Sequence, residues 1–254
     1  METTAASMPS PGRPNDDGLV LTENIAIVLD GATAPAGRES GCIHDVPWLV
    51  GQLGAVLLDV LTNEPNASLP DALADTIRRV GKRHADTCDL SNPDSPSSTV
   101  VVLREGSDQV EWLVLGDSAI MIEHSNGLTV VEDDRTDHLP SYTYDAVSRL
   151  RNSPDGFWIA STDPTAAHHA LTGSMPRDQV TRAVLATDGA TRLVHRYGWS
   201  WDQFLDRAQT RGPRSLLTGV RTADLSAEQG KWRGKPCDDA TVVFCRLNFP
   251  GDDV

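Results

Sequence analysis

Ile25-Ala26-Ile27-Val28-Leu29-Asp30-Gly31-Ala32-Thr33 reads as a short buried strand that stops at a tight turn. The tetrapeptide Asp-Gly-Ala-Thr recurs at Asp188 to Thr191, again behind an apolar run, Val180 to Ala186. A strand that ends in Asp-Gly projects its carboxylate from a rigid base, and the glycine lets a carbonyl or a ligand come close. A single Asp-Gly is ordinarily no more than a turn. Two of them behind buried strands, with Asp16-Asp17 and Asp238-Asp239 beside other strands, are harder to dismiss as turns alone.

Working outward, Leu19 to Leu21 pairs with Ile25 to Leu29 as a hairpin across Thr22-Glu23-Asn24. Apolar residues at spacings of three and four, from Trp48 to Leu61, predict a helix. A second helix starts after Ser68 as N-cap and carries Leu73, Ile77 and Val80. Beyond a loop at Ser91 to Ser97, the runs Val100 to Leu103, Val110 to Leu115, Ile120 to Ile122 and Leu128 to Val131 read as an antiparallel meander. A helix around Ala146, the Val180 to Ala186 strand, a largely helical Thr191 to Arg211 and a closing strand Thr241 to Leu247 complete the chain. This order lacks the strict alternation of a parallel sheet. It predicts an α+β fold of mostly antiparallel sheets covered by helices.

The 254 residues, 39% hydrophobic and 23% charged, fit one globular domain with a substantial core. Residues 1 to 12, small, polar and proline-bearing, read as a flexible leader, and 13 to 249 as the domain. A net charge of -14 without any basic run argues against nucleic-acid binding. Cys42, Cys88, Cys237 and Cys245 form no Cys-x-x-Cys pair and stand beside no histidine at zinc-ligand spacing, so they read as reduced thiols. No signal peptide and no stretch long enough to span a bilayer is evident, which points away from a membrane and to a cytoplasmic protein.

Six short motifs, in order along nearly the whole chain, resemble those of PP2C-type (PPM family) metal-dependent protein serine/threonine phosphatases in their bacterial single-domain form. Arg13-Pro14-Asn15-Asp16-Asp17 resembles the family's opening Arg…Asn-Glu-Asp, Val28 to Gly31 its first Asp-Gly strand, and Ser97 to Val100 its Ser/Thr strand. Leu115-Gly116-Asp117-Ser118 is similar to its Gly-Asp-Ser-Arg motif, Ala186 to Gly189 to its Ser-Asp-Gly motif, and Asp238 to Val243 to its closing strand. The resemblance implies a four-layer αββα sandwich and hydrolysis of phosphoserine or phosphothreonine in proteins by a metal-activated water. It implies two ions, Mn2+ or Mg2+, with Asp30 bridging them, the Gly31 carbonyl on one, and Asp188 and Asp238 on the other. Asp16 or Asp17 would support the pair through water, Asp117 would serve a third metal, and Arg13 would hold the phosphate.

The family's Asp-Gly-Met-Gly-Gly-His loop is here Asp30-Gly31-Ala32-Thr33-Ala34-Pro35, and its Gly-Asp-Ser-Arg arginine is Ala119. The lost histidine is the family's leaving-group acid. His44, a few residues downstream, is the candidate substitute, against the plainer reading of an ordinary surface or core histidine. A lipase-like serine hydrolase built on Gly116-Asp117-Ser118 is rejected, because none of the seven histidines has an Asp three residues before it. Two alternatives stand: a catalytically weak or inactive PP2C-like module that binds phosphoproteins or regulates, and a phosphatase of small phosphate esters.

Overall fold

The computed structural model describes residues 1–32, 38–228 and 230–247. Strand β1 (Glu2–Met8), β2 (Gly18–Leu21) and β3 (Ile25–Ala32) lead into helices α1 (Val46–Asn63) and α2 (Leu69–His84). Strands β4 (Ser97–Glu105), β5 (Gln109–Leu115), β6 (Ala119–His124) and β7 (Gly127–Glu132) form the expected meander, followed by α3 (Tyr144–Leu150). Strands β8 (Leu171–Pro176) and β9 (Val180–Ala186), helices α4 (Asp188–His195), α5 (Trp201–Arg211) and α6 (Pro213–Ser226), and β10 (Ala240–Arg246) close the chain. Two five-stranded antiparallel sheets result, ordered β1-β10-β9-β6-β7 and β2-β3-β4-β5-β8.

The strand period of two sorts the side chains into layers. On β3, Ile27 and Leu29 face outward with Val100 and Val102 and meet Leu53 and Leu57 of α1 and Leu73 and Ile77 of α2. Ala26 and Val28 face inward with Val101 and Leu103, where they meet Ile120, Ile122, Leu185 and Val243 of the other sheet. Met121, Val184 and Val242 point out of that second sheet onto Leu193, Phe204 and Leu217 of the C-terminal helices. The observed order is therefore helix, sheet, sheet, helix, the four-layer α+β sandwich. Each fully buried aliphatic side chain of these layers contributes roughly 1.5–3 kcal/mol.

The structure adds to or departs from the sequence reading in four places. Glu2–Met8 is no leader. It pairs antiparallel with β10 from Glu2 opposite Arg246 to Met8 opposite Ala240, and Ala6 and Met8 pack on the C-terminal helix layer. A small, polar segment gains order here because the edge of β10 supplies the ladder its own side chains do not specify. Strand β8 also escapes sequence patterning, since Leu171 and most of its neighbours are exposed. It is fixed by β5, where the Trp112 indole lies over Gly173 so closely that a Cβ there would come within 2.3 Å of the ring. The helical 191 to 211 region is two helices, broken at Gly198 with φ +74° before the Ser200 capping box. Helix α1, 18 residues with a mean hydropathy of 1.3, has the length and composition of a membrane span, and half of it is buried against the first sheet and α2. The altered loop at 32 to 35 lies, from residue 33 onward, outside the described residues, as does residue 249.

Candidate metal centre

Asp30 leaves β3 opposite Thr99 of β4, and its amide donates to the Thr99 hydroxyl at 3.3 Å. Thr99 is in turn paired with the buried Ser118 hydroxyl at 2.7 Å, so the Ser/Thr strand and the Gly-Asp-Ser turn brace one another. Gly116 makes that turn possible. It has φ +85°, and a Cβ there would lie 2.8 Å from Thr99. Asp117 follows it. Asp188 is the first residue of α4, where the helix dipole favours a carboxylate. Gly31 and Gly189 sit in close backbone crossings: a Cβ on Gly31 would come within 2.4 Å of the Asp16 carbonyl, and one on Gly189 within 1.8 Å of the Asp239 carbonyl.

Asp30, Asp117 and Asp188 line one cavity of about 660 Å³. Burial, then repulsion from Asp17, Asp188, Asp117 and Asp238, pushes the Asp30 carboxyl well above the usual carboxylate range. Burial and the neighbouring Asp188 push Asp117 up to about 7. Asp188 is raised by burial and by Asp238, against the pull of Arg192 and a hydrogen bond shared with Asp30. Sequence-distant carboxylates thus crowd together with too little positive charge between them.

The two acidic pairs are split between this cluster and its frame. Asp17 accepts from the Thr187 and Thr241 hydroxyls at 3.0 and 2.7 Å on one oxygen, and its other oxygen is buried without a partner among the described residues. Burial pushes Asp17 up to about 7 in spite of those hydroxyls. Asp239 accepts the backbone N–H groups of Ser10 and Asp16, which pins the segment carrying Asp16 and Asp17 to the start of β10. Asp238 is ion-paired twice, with Arg192 at 2.8 Å and Lys235 at 2.9 Å. Arg192 also meets Asp224 at 3.2 Å, and its Nε is buried without a partner among the described residues.

Two expected residues stand elsewhere. Arg13 is exposed and lines a neighbouring cleft of about 320 Å³ together with Asp16 and His44. His44 is no wall of the aspartate cavity: its Nδ1 lies 3.6 Å from Cys42 Sγ and 3.5 Å from Cys88 Sγ, and its ring stacks on Trp48. Cys42 and Cys88 are free thiols, as read from the sequence, but the histidines that the sequence does not place beside them at ligand spacing meet them in space. Their partners, at Cys42-x-His44 and His84-x-x-x-Cys88, are separated by two helices, which hides them from any contiguous zinc spacing.

Sequence reasoning missed the basic side of the cavity. His195, two turns beyond Asp188 on α4, lines it and contacts Glu132 Oε1 at 2.8 Å, a bond that raises its pKa. Arg196 and Arg233 line it as well, with the Arg233 guanidinium 3.3 Å over the Tyr142 ring. The heptad offset from Asp188 to His195 was the available signal, since it places both on one helix face.

The donor set suits hard divalent cations: carboxylate oxygens, a glycine carbonyl at a crossing no Cβ would fit, and a buried unpaired oxygen on Asp17. No curated protein sequence matches the chain significantly. Among solved structures, the chain resembles the serine/threonine phosphatase PstP/Ppp of Mycobacterium tuberculosis, with 17% identity, a TM-score of 0.62, and 98% of this chain and 99% of that one covered. It also resembles Stp1 of Staphylococcus aureus, with 13% identity, a TM-score of 0.65, and coverage of 98% and 95%. A third likeness is to the catalytic domain of PstP in complex with two manganese ions, at 17% identity, TM-score 0.59 and 96% of each chain. These likenesses concern the fold, while the family profile described as protein phosphatase 2C matches residues 7–221, from β1 through most of α6. The acidic strand ends, the four-layer sandwich and that match place this chain in the protein phosphatase 2C family.

Proposed function

We propose that this chain is a metal-dependent phosphatase that hydrolyses phosphoserine and phosphothreonine in proteins, with Mn2+ or Mg2+ at the aspartate cluster. The observation that carries this reading is the convergence of Asp30, Asp117 and Asp188, half-buried and repelling one another, on one cavity. Asp30 and the Gly31 carbonyl would hold the ion pair with Asp188 and Asp238, Asp17 and Asp16 would support it, and Asp117 would hold a third ion. Bound divalent cations lower the pKa of a shared water toward neutrality and offset the charge of the phosphate. Thr99 and Ser118 fix the Asp30 base, and Asp239 fixes the segment carrying Asp16. His195, whose hydrogen bond to Glu132 favours its protonated form, would give its proton to the leaving alkoxide in the role first assigned to His44. Arg196 and Arg233 line the same cavity and would meet a phosphorylated side chain, and Arg13 stands on the smaller cleft, where the flanking peptide would lie.

One observation favours the second reading, a phosphoprotein-binding module without turnover. Arg192 and Lys235 already neutralise Asp238, so they compete with an ion for it. Turnover of p-nitrophenyl phosphate and a phosphothreonine peptide, with and without Mn2+, separates the two. Catalysis predicts chelator-sensitive activity lost in Asp30→Asn, and a binder predicts peptide affinity with no turnover under any metal.

A further inference from the structure

Cys42 and His44 lie in the segment just before α1, His84 is the last residue of α2, and Cys88 follows in the turn beyond it. Their donor atoms form a compact group in which one sulfur or nitrogen from each residue lies within 4.8 Å of all the others. Cys42 Sγ is 3.6 Å from His44 Nδ1 and 3.5 Å from His84 Nδ1, and Cys88 Sγ is 3.5 Å from His44 Nδ1. A tetrahedral zinc with Zn–S of about 2.3 Å and Zn–N of about 2.0–2.1 Å requires S···N edges of about 3.5–3.6 Å. The two sulfurs are 2.9 Å apart, inside the roughly 3.8 Å edge of such a tetrahedron and well outside the covalent S–S length of about 2.05 Å.

We propose that Cys42, His44, His84 and Cys88 form a structural Cys2His2 site for one Zn2+, separate from the aspartate centre. Nitrogen and thiolate donors select zinc over Mg2+ or Mn2+, just as the all-oxygen cluster selects the reverse, so the molecule sorts its metals by ligand softness. The group is framed as ligand sets are. The backbone N–H groups of His44 and Ile43 donate to the Cys42 and Cys88 sulfurs, and the Thr87 hydroxyl lies 3.7 Å from Cys88 Sγ. Trp48 stacks on the His44 ring at 3.9 Å and leans on the buried His84 ring at 5.1 Å, which fixes both imidazoles. The turn geometry agrees as well: Gly41 takes φ +69°, where a Cβ would lie 2.9 Å from Asn92, and its carbonyl accepts from the Asp89 amide at 2.7 Å.

The ion would clip the segment that runs on from Asp30-Gly31 to the C-terminal end of α2. That segment carries His44 and Asp45, which with Arg13 and Asp16 wall the smaller cleft. Zinc would therefore set the shape of a peptide-facing surface without entering the chemistry.

The test is cobalt substitution of the whole purified protein under reducing conditions, read by visible and near-ultraviolet absorption, with zinc content measured by plasma mass spectrometry. The expected result is one equivalent of tightly held zinc and, on replacement by Co2+, intense tetrahedral d–d bands with a thiolate charge-transfer band. Both should vanish in Cys42→Ser/Cys88→Ser and persist in Asp30→Asn, whose loss of phosphatase activity speaks only to the other centre. The wild-type spectrum stands alone should the double variant fail to fold. Absence of the thiolate band on saturating Co2+, or a Cys42–Cys88 disulfide that persists under those reducing conditions by peptide mass mapping, overturns the proposal.

Discussion

Asp17 and Asp117 are both held near 7, about three pH units above an ordinary aspartate at 3.8. A raised folded-state value means the native molecule binds protons more tightly than the unfolded chain. Stability from these groups is therefore complete below about pH 4 and drains as pH rises through 7. The metal-free protein should accordingly melt at progressively lower temperature between about pH 5 and pH 8, by roughly 2–4 °C per kcal/mol lost. Added Mn2+ should flatten that slope, which scanning fluorimetry across pH measures directly. The Glu132 hydrogen bond shifts His195 upward as well, so its imidazole holds its proton to higher pH than it would without that partner. Glu132→Gln should move the basic limb of the kcat profile to lower pH, and His195→Gln should cost on the order of 10²–10⁴ in kcat toward substrates with a poor leaving group. Gly189→Ala forces a Cβ onto the Asp239 carbonyl and should cost more than about 2 kcal/mol by urea unfolding, without changing the net charge.

At the scale of elements, β3, β4 and β9 were legible because each carries an uninterrupted apolar run bounded by punctuation, and α1 because its apolar spacing is helical. Strands β1 and β8 were not, because an edge strand takes its order from its neighbour's backbone rather than from its own side chains. The same logic predicts the behaviour of a truncation. Removing residues 1 to 8 uncovers the β10 edge and the apolar contacts of Ala6 and Met8, so the shortened protein should melt several degrees lower and aggregate on heating, as light scattering would record. Leu53→Ala in α1, by contrast, opens a cavity beneath the first sheet and should cost about 2–5 kcal/mol without any exposed edge.

Across the whole molecule, the acidic half of the centre was readable and the basic half was not. Asp30, Asp117, Asp188 and Asp238 announce themselves at strand ends, whereas Arg192, Lys235 and His195 belong to helical or loop stretches where a charged side chain is normally just a solvated one. Only the folded chain reveals that Arg192 is buried and bound to two carboxylates. The Cys/His group was hidden for a related reason, since its two halves are contiguous only once α1 and α2 have packed side by side.

Asp17, near one end of the polypeptide, is held by hydroxyls of Thr187 and Thr241, and Asp16 by the carboxylate of Asp239. A ribosome delivers those partners more than 150 residues apart in time, so a nascent or prematurely terminated chain has no means of closing the pocket, whatever ions surround it. Assembly of the aspartate pocket thus waits until β10 has emerged and paired between its two neighbours, β1 and β9.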